Sequence, residues 1–162
     1  PLLTIEAFKS FKVENPNSKI KLIIIGDVPY KSKYSDNIKK EKRDDIILPG
    51  YIYDLNTLTE LRSNCLAYVH GNQVGGTNPA LLEAMGSHSF IIARSVDFNR
   101  EVLENGGLYY EKNIESLKDC LNLVYYNKIN RNKAINFCTN KIKNYYNWDR
   151  IASEYNKMLK EI

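Results

Sequence analysis

Residues 75–86 have the sequence Gly-Gly-Thr-Asn-Pro-Ala-Leu-Leu-Glu-Ala-Met-Gly, and our prediction of the fold starts from this segment. The two glycines free the backbone, while Asn78 and Pro79 are residue types preferred at an N-cap and at the first position of a helix. The sequence therefore predicts a short helix over residues 79–86, whose exposed amides and positive dipole end suit a phosphate group. Glu83 is the only charge in this helix, and its side chain is expected to lean toward the helix N-terminus.

Short apolar segments alternate with segments of helical periodicity on both sides of this loop. Predicted strands cover residues 19–25, 46–48, 66–70, 90–93 and 108–110. Predicted helices cover residues 2–14, a stretch capped by Asp54, residues 98–104, and the chain from 114 onward with breaks near 127–130 and 146–147. Residues 30–43 are polar with weak helical periodicity. This alternation predicts an α/β domain with a parallel sheet.

Three loops leave the carboxyl ends of the first three predicted strands, at residues 26–29, 49–52 and 70–78. If these strands are neighbours in the sheet, the loops open onto one crevice. Ligands of open α/β sheets bind in such a crevice, outside the carboxyl ends of the strands. We therefore expect a nucleotide to bind there.

The composition is that of one ordinary globular domain. The chain has 162 residues, of which 43% are apolar and 26% charged. No apolar run approaches the roughly 20 residues that a membrane-spanning helix needs. The net charge of +4 is mild, and Lys and Arg are scattered apart from a run at residues 39–43. No nucleic-acid partner is therefore predicted.

Cysteine and histidine are too few and too scattered to predict a metal centre. Cys65, Cys120 and Cys138 lack a Cys-x-x-Cys spacing, which favours buried reduced thiols over a disulfide or a metal site. His70 and His88 are the only histidines, so a zinc site would have little to use.

Several segments, in a fixed order, carry a resemblance to a known family. They are Ile25-Gly26-Asp27, Gly50-Tyr51-Ile52-Tyr53-Asp54, residues 75–85, Ile91-Ile92-Ala93, Asn99-Arg100-Glu101-Val102, residues 106–110 and residues 147–152. In this order the chain resembles the donor-binding C-terminal domain of GT-B glycosyltransferases, especially the large retaining family often called family 4. Residues 75–85 are most similar to capsule and cell-wall sugar transferases, rhamnosyltransferase-like ones among them.

The resemblance implies a Rossmann-like parallel sheet flanked by helices, the C-terminal half of a GT-B fold, with its first strand missing. The chain also opens at Pro1 directly in helical periodicity. We therefore expect residues 1–162 to form a single nucleotide-sugar-binding domain, a fragment of a larger two-domain enzyme that is inactive alone. The expected reaction moves a hexose or deoxyhexose from a nucleoside-diphosphate sugar to a surface glycan, as in capsular polysaccharide or lipopolysaccharide biosynthesis.

The implied partners are a nucleotide sugar and an acceptor glycan or lipid-linked sugar, the acceptor being bound by the missing N-terminal domain. The implied location is the cytoplasm, including the inner face of the bacterial membrane, where the full enzyme is expected to associate peripherally. No metal and no other cofactor is expected, because amides and a helix N-terminus can stabilise the departing diphosphate.

The resemblance also places the donor-binding residues. Glu83 matches the second of two family glutamates, which binds the ribose hydroxyls, and the amides before it hold diphosphate and sugar. The turn at residues 50–52 matches the segment that contacts the base. The expected donor-binding residues are Gly26, Asp27, Gly50, Tyr51, Ile52, His70, Gly75, Gly76, Thr77, Asn78, Ala80, Leu81 and Glu83. No catalytic residue is assigned.

One position departs from the family pattern. The first family glutamate stands eight positions before the second, where this chain has Gly75. In the family that carboxylate contacts the transferred sugar, so its loss puts the usual sugar contact in doubt and suits a deoxy sugar. His70, Asn72 and Gln73 are the nearby polar residues that can replace it. The family's diphosphate-clamping Arg and Lys would precede Pro1.

Other interpretations stay open at this stage. Asp27 can cap a turn, Tyr51 can pack on the sheet edge, and His70 can be a packed side chain. Trp148 is expected in the core or against another domain. For the chain as a whole, the alternatives are a GT-B-like nucleotide-sugar epimerase or phosphorylase, and a non-catalytic α/β module used for protein contact.

Overall fold

The computed structural model describes residues 1–27, 30 and 32–160. The strands are Leu22–Ile25 (β1), Ile46–Gly50 (β2), Tyr68–His70 (β3), Ile91–Arg94 (β4) and Gly107–Tyr110 (β5). The helices are Leu2–Glu14 (α1), Lys33–Lys39 (α2), Leu55–Asn64 (α3), Pro79–Gly86 (α4), Asp97–Leu103 (α5), Ile114–Tyr125 (α6), Arg131–Tyr145 (α7) and Trp148–Lys160 (α8). Every strand and helix predicted from the sequence is present, with small shifts at the ends.

The five strands form two parallel sheets. β1 pairs with β2, and Leu22 lies opposite Ile46 in this register. β4 is the central strand of the other sheet and pairs with β3 on one side and with β5 on the other. The predicted α/β class, with parallel strands flanked by helices, is therefore confirmed.

The division into two sheets differs from the single sheet that the sequence predicts. Within the described ranges, no strand pairs with both β1 and β3, so nothing joins the two-stranded sheet to the three-stranded one by a ladder. Two apolar side chains of β1, Ile23 and Ile25, are more than one-third exposed. The absence of the first strand of the fold stays a prediction.

Helix α1 holds the two sheets side by side. Phe8 and Phe11 pack in a buried cluster with Ile46 of β2. Ala7, on a neighbouring part of the same helix, packs in a second cluster with Ile92 of β4. One helix therefore contributes to the cores of both sheets.

Helix α4 is held from two directions, and this fixes the position of its N-terminus. Leu81 and Met85 are buried in a cluster with Ile91 of β4. Cys138 of α7 belongs to the same cluster, and α7 packs along α4. The predicted helix after the glycine loop is thus a buried, well-supported element and not a surface turn.

The three cysteines are free thiols, as predicted. Cys120 and Cys138 are buried, whereas Cys65 is half-buried. Burial raises the pKa of Cys120 to about 11 and that of Cys138 to about 12. Both buried thiols are therefore protonated near neutral pH and act as small apolar groups.

Helix α8 carries an exposed apolar face. Trp148 is 83% exposed, and Tyr155, Met158 and Leu159 are exposed as well. Of the two alternatives predicted for Trp148, packing in the core is wrong, because α8 buries none of its residues against the described chain; packing against another domain stays a prediction. Among the helices that the structure describes, none has both the length and the apolar character that a membrane crossing requires.

Candidate functional site

The loops after β1 and β2 are joined to each other. The amide of Gly26 donates to the carbonyl of Gly50 at 2.8 Å. The hydroxyl of Tyr51 donates to the carbonyl of Asp27. The structure thus brings together the first two loops that the sequence assigns to one crevice. Residues 28 and 29 of the first loop lie outside the described residues.

Asp27 is engaged by a cation from the neighbouring helix. The Nζ of Lys39, at the end of α2, lies 3.1 Å from Oδ1 of Asp27. Both side chains are at least one-third exposed, so the pair is screened by solvent and contributes little to folding. The ion pair with Lys39 does not test the donor-binding role of Asp27, which stays a prediction.

The turn predicted to contact a base is open to solvent and ends in a helix cap. Tyr51 is half exposed and stacks on Tyr53 with 5.8 Å between ring centroids. Oδ2 of Asp54 accepts a hydrogen bond from the amide of Thr57 at 2.8 Å, which caps α3 as predicted. Hydrogen bonds from Thr57 also hold the pKa of Asp54 below its usual value. Ile52, between the tyrosines, is half-buried.

The glycine loop leads directly into the N-terminus of α4. Oδ1 of Asn78 accepts from the amide of Ala80 at 2.9 Å, and the Asn78 carbonyl accepts from Leu81 at 3.0 Å. In this structure the amides of Ala80 and Leu81 are therefore occupied by the cap. Among the described residues, no acceptor is recorded for the amides of Gly76 and Thr77, and both residues are exposed.

Gly75 adopts a backbone conformation that side chains disfavour. Its φ is +123°, and a Cβ placed there would meet nothing within 4 Å. Space is therefore available at this position, but a glutamate would have to adopt a strained backbone. The absence of the first family glutamate thus agrees with the path that the loop takes.

Glu83 lies on α4 with its side chain 54% exposed. Its Oε2 accepts a hydrogen bond from Nη2 of Arg62, at the end of α3, at 2.7 Å. A carboxylate on this helix can accept further hydrogen bonds from ligand hydroxyl groups. The ribose role predicted for Glu83 stays a prediction.

His70 lies at the end of β3, directly before the glycine loop, and is 2% exposed. Its ring stacks on Tyr68, with 6.2 Å between the ring centroids. No partner is recorded within the described chain for its buried Nε2 atom. Burial lowers the pKa of His70, so the ring is neutral at neutral pH. The structure thus places His70 beneath the loop and not at its open surface.

The sequence interpretation missed two basic residues beside the glycine loop. Arg94 ends β4 and Lys112 follows β5, and both line a cavity of about 430 Å³. The loop residues Asn72 and Gln73 line the same cavity. Each of these two basic residues stands at or just after the end of an apolar strand. That position is the signal that could have identified them, because ligands bind at the carboxyl ends of parallel strands.

Asn99 ties the glycine loop to β4. Its Nδ2 donates to the carbonyl of Asn72 at 3.1 Å and to the carbonyl of Arg94 at 3.0 Å. The side chain is fully buried. Asn99 therefore fixes the base of the loop relative to the cavity.

Within the described ranges, no three His, Cys, Asp or Glu side chains converge into a group that could hold a metal ion. Arg94 and Lys112 share one cavity with Asn72 and Gln73, and the exposed residues Gly76 and Thr77 precede the helix that carries Glu83. Basic side chains and free amides can bind an anion, and a carboxylate can accept hydrogen bonds from hydroxyl groups.

Comparison with known proteins agrees with this geometry. Residues 1–141 match the family described as Glycosyl transferases group 1. The chain belongs to this family. A comparison with curated protein sequences finds no match.

Several solved structures resemble this chain over most of the length of the chain. HepE of Anabaena, solved in complex with UDP, matches this chain with a TM-score of 0.82 and 13% sequence identity. The match covers 99% of this chain and 44% of HepE. Sucrose-phosphate synthase of Thermosynechococcus elongatus has a TM-score of 0.78 and 17% identity, covering 97% of this chain and 41% of the synthase. The C-terminal domain of LpcC, a glycosyl transferase group 1 family protein of Francisella tularensis, has a TM-score of 0.73 and 21% identity, covering 90% of this chain and 78% of that domain.

These likenesses confirm the fold of the group 1 chain as a C-terminal, Rossmann-like GT-B domain. The chain spans less than half the length of HepE and of the sucrose-phosphate synthase. In this group 1 domain, the glycine loop, the N-terminus of α4 and the cavity lie at the carboxyl ends of the strands, where the fold places its ligands.

Proposed function

We propose that the chain is the donor-binding domain of a retaining glycosyltransferase that moves a sugar from a nucleoside-diphosphate sugar to a growing surface glycan. The observation that carries this proposal is the glycine loop at the start of α4. There the exposed amides of Gly76 and Thr77 lie on the same short segment as the Glu83 carboxylate. The likeness to HepE, which was solved with UDP bound, supports a nucleoside diphosphate as the ligand.

The chemistry requires a leaving group that gains negative charge to be stabilised as the glycosidic bond breaks. Preorganised amides and a helix N-terminus supply this stabilisation without a metal. Arg94 and Lys112, which line the adjoining cavity, add positive charge at the same edge. We therefore propose that the diphosphate lies over residues 76–78, and that neither a metal nor another cofactor takes part.

We also propose which residues contact the base, the ribose and the transferred sugar of the donor. The turn at residues 50–52 contacts the base, and Glu83 accepts hydrogen bonds from the ribose. The transferred sugar lies near Gly75, where the backbone conformation disfavours a carboxylate-bearing side chain. A deoxyhexose, which lacks a hydroxyl group, suits this position better than a fully hydroxylated sugar.

The acceptor side of the reaction belongs to the proposal as well. The acceptor is a glycan or a lipid-linked sugar of capsule or lipopolysaccharide biosynthesis, and another part of the enzyme binds it. The enzyme works in the cytoplasm, at the inner face of the bacterial membrane where such acceptors are held. We expect no sugar transfer by residues 1–162 alone, because they contain only the donor side of the cleft.

The test is calorimetric titration of the full-length enzyme with UDP, GDP and dTDP. We expect one of these to bind, and Glu83→Ala to weaken it by about 10- to 100-fold, as the loss of a hydrogen bond to a charged group predicts. Glu60→Ala, which removes an exposed glutamate from α3, is the matched control and should leave the affinity unchanged.

Two results would contradict the proposal in different ways. Binding that is unaffected by Glu83→Ala removes the ribose role of this residue. No binding of any of the three diphosphates, nor of their sugar conjugates in a thermal-shift screen, favours the alternative of a non-catalytic module. An epimerase or a phosphorylase would bind a nucleotide or a phosphorylated sugar but would not transfer the sugar to a glycan acceptor.

A further inference from the structure

Glu83 is paired with an arginine from the neighbouring helix. The Nη2 atom of Arg62 on α3 lies 2.7 Å from Oε2 of Glu83 on α4. The Arg62 side chain is 16% exposed, whereas that of Glu83 is 54% exposed. The arginine therefore approaches the carboxylate from the protein side and leaves the solvent side of the carboxylate open.

Arg62 is itself fixed by its surroundings. Its backbone carbonyl accepts hydrogen bonds from Oγ of Ser89 at 2.8 Å and from Sγ of Cys65 at 3.0 Å. Burial raises the pKa of the nearby Tyr68, and the positive charge of Arg62 partly opposes that rise. Arg62 thus extends from a secured helix end and not from a mobile loop.

The pair leaves one carboxylate oxygen available. Both oxygens of an ionised carboxylate can accept hydrogen bonds, and in the described part of the chain only Oε2 of Glu83 has a recorded partner. An ion pair with one exposed member contributes little to the stability of a fold. A planar guanidinium on a rigid support does, however, restrict the orientations of its carboxylate.

We propose that Arg62 is a positioning residue, which holds Glu83 so that its Oε1 atom accepts a hydrogen bond from the ribose of a bound nucleoside diphosphate. This inference rests on the proposed function, because it requires Glu83 to bind ribose. Arg62 acts through Glu83 and does not contact the nucleotide. Lysine at this position would keep the charge, but its ammonium group ends a flexible stem and would fix the orientation of the carboxylate less well than the planar guanidinium does.

The experiment measures how strongly the full-length enzyme depends on the ribose 3′-hydroxyl. The probes are UDP, GDP and dTDP, each with its 3′-deoxy analogue, titrated by calorimetry into the wild type and into Arg62→Gln, Arg62→Lys and Glu83→Gln. The quantity of interest is the affinity ratio between a diphosphate and its 3′-deoxy analogue. A residue that only supports the fold would change melting temperature without changing this ratio.

We expect the wild type to lose about 10- to 100-fold in affinity when the 3′-hydroxyl is absent. Arg62→Gln should reduce this ratio to about threefold or less, because the hydrogen bond from the ribose to a mobile carboxylate contributes much less binding free energy. Arg62→Lys should give an intermediate ratio. The variant carrying both Arg62→Gln and Glu83→Gln should be no weaker than the weaker single variant, since the two residues act as one unit.

Arg43→Gln is the matched control. Arg43 also pairs with a carboxylate, that of Asp45, but it lies before β2 at the opposite end of the strands. Its replacement should leave the affinity ratio at the wild-type value. If Arg62→Gln proves too unstable to titrate, Arg62→Lys carries the same measurement.

The outcomes separate this inference from the proposed function. Binding of a diphosphate with an unchanged 3′-deoxy ratio in Arg62→Gln or Arg62→Lys overturns the positioning role and leaves the donor site intact. No dependence on the 3′-hydroxyl in the wild type overturns the positioning role together with the ribose role of Glu83. No binding of any probe to the wild type overturns the proposed function itself.

Discussion

The hydroxyl of Tyr51 donates a hydrogen bond to the backbone carbonyl of Asp27, across the two loops that follow β1 and β2. The amide of Gly26 and the carbonyl of Gly50 form a second link 2.8 Å long between the same loops. The proposed base-binding turn is therefore tied to its neighbour by one side chain and one backbone contact. Of the two, only the contact made by Tyr51 can be removed by mutation without changing the backbone.

Tyr51→Phe should weaken binding of the nucleoside diphosphate by about 3- to 10-fold, which corresponds to one hydrogen bond of ordinary strength. The ring stays, so stacking on Tyr53 is kept while the link to the first loop is lost. Tyr53→Phe is the matched control, since the described part of the chain offers no partner to the Tyr53 hydroxyl and this residue is 85% exposed. Calorimetry on the full-length enzyme checks both, and equal effects of the two substitutions would contradict the proposed role of the link.

Gly75→Ala should destabilise the protein by about 1–3 kcal/mol, because φ of +123° is a conformation that residues with a Cβ rarely adopt. Gly75→Glu, which restores the family carboxylate, should do the same. Gly76→Ala is the matched control: its Cβ also meets nothing within 4 Å, and its φ lies outside the strained range. Thermal unfolding without ligand compares the three variants. A melting temperature that falls as much for Gly76→Ala as for Gly75→Ala would show that strain at Gly75 is not the cause.

Local features of the site could be predicted from the sequence. Asn78 and Pro79 predict the start of α4, and the structure places Oδ1 of Asn78 2.9 Å from the amide of Ala80. The short apolar strands were predictable for a similar reason, because strand length and flanking turns are encoded within a few residues. Asp54, which caps α3, is a third example.

Contacts between separate elements could not be predicted in the same way. Arg62 and Glu83 are 21 residues apart, and they meet only because α3 and α4 pack side by side. Arg94 and Lys112 share a cavity because β4 and β5 are neighbours in register. The burial of His70 likewise depends on what packs over the end of β3. No local pattern specifies these distances, so they required the folded chain.

The stability of the protein should fall as the pH falls from about 6.5, the ordinary pKa of histidine, and His70 should account for part of that fall. Burial lowers the pKa of His70 in the folded state. Below pH 6.5 the unfolded chain therefore binds a proton that the folded chain does not, which favours unfolding. Above pH 6.5 both states are neutral at this residue and the effect disappears.

His70→Asn should flatten the dependence of the melting temperature on pH between about 5 and 7, the range set by the ordinary histidine pKa. His88→Asn is the matched control, because His88 is exposed and asparagine tolerates its positive φ of 58°. Thermal unfolding of the two variants and the wild type across this range checks the effect. An identical slope in His70→Asn and the wild type would show that His70 does not contribute.

Asn78→Asp should separate the folding role of the cap from its proposed role beside the diphosphate. Aspartate is as good an N-cap as asparagine, and a negative charge is favourable at a helix N-terminus. The melting temperature should therefore be unchanged or slightly higher. The added carboxylate would repel a diphosphate bound over residues 76–78, so the affinity for that diphosphate should fall by about 10-fold or more.

The repulsion expected in Asn78→Asp depends on the phosphates of the ligand and not on its base or ribose. The affinity for the corresponding nucleoside, which has no phosphate, should therefore be the same in the variant and the wild type.

Asn130→Asp is the matched control, since Oδ1 of Asn130 caps α7 by accepting from the amide of Lys133 at 3.1 Å. That helix begins near the start of β3, where Arg131 donates to the Leu66 carbonyl, at the end of the strand opposite the glycine loop. Calorimetry with the diphosphate and the nucleoside on both variants tests this prediction. A loss of diphosphate affinity in Asn130→Asp as large as in Asn78→Asp would mean that the charge acts at long range. No loss in Asn78→Asp would place the diphosphate elsewhere.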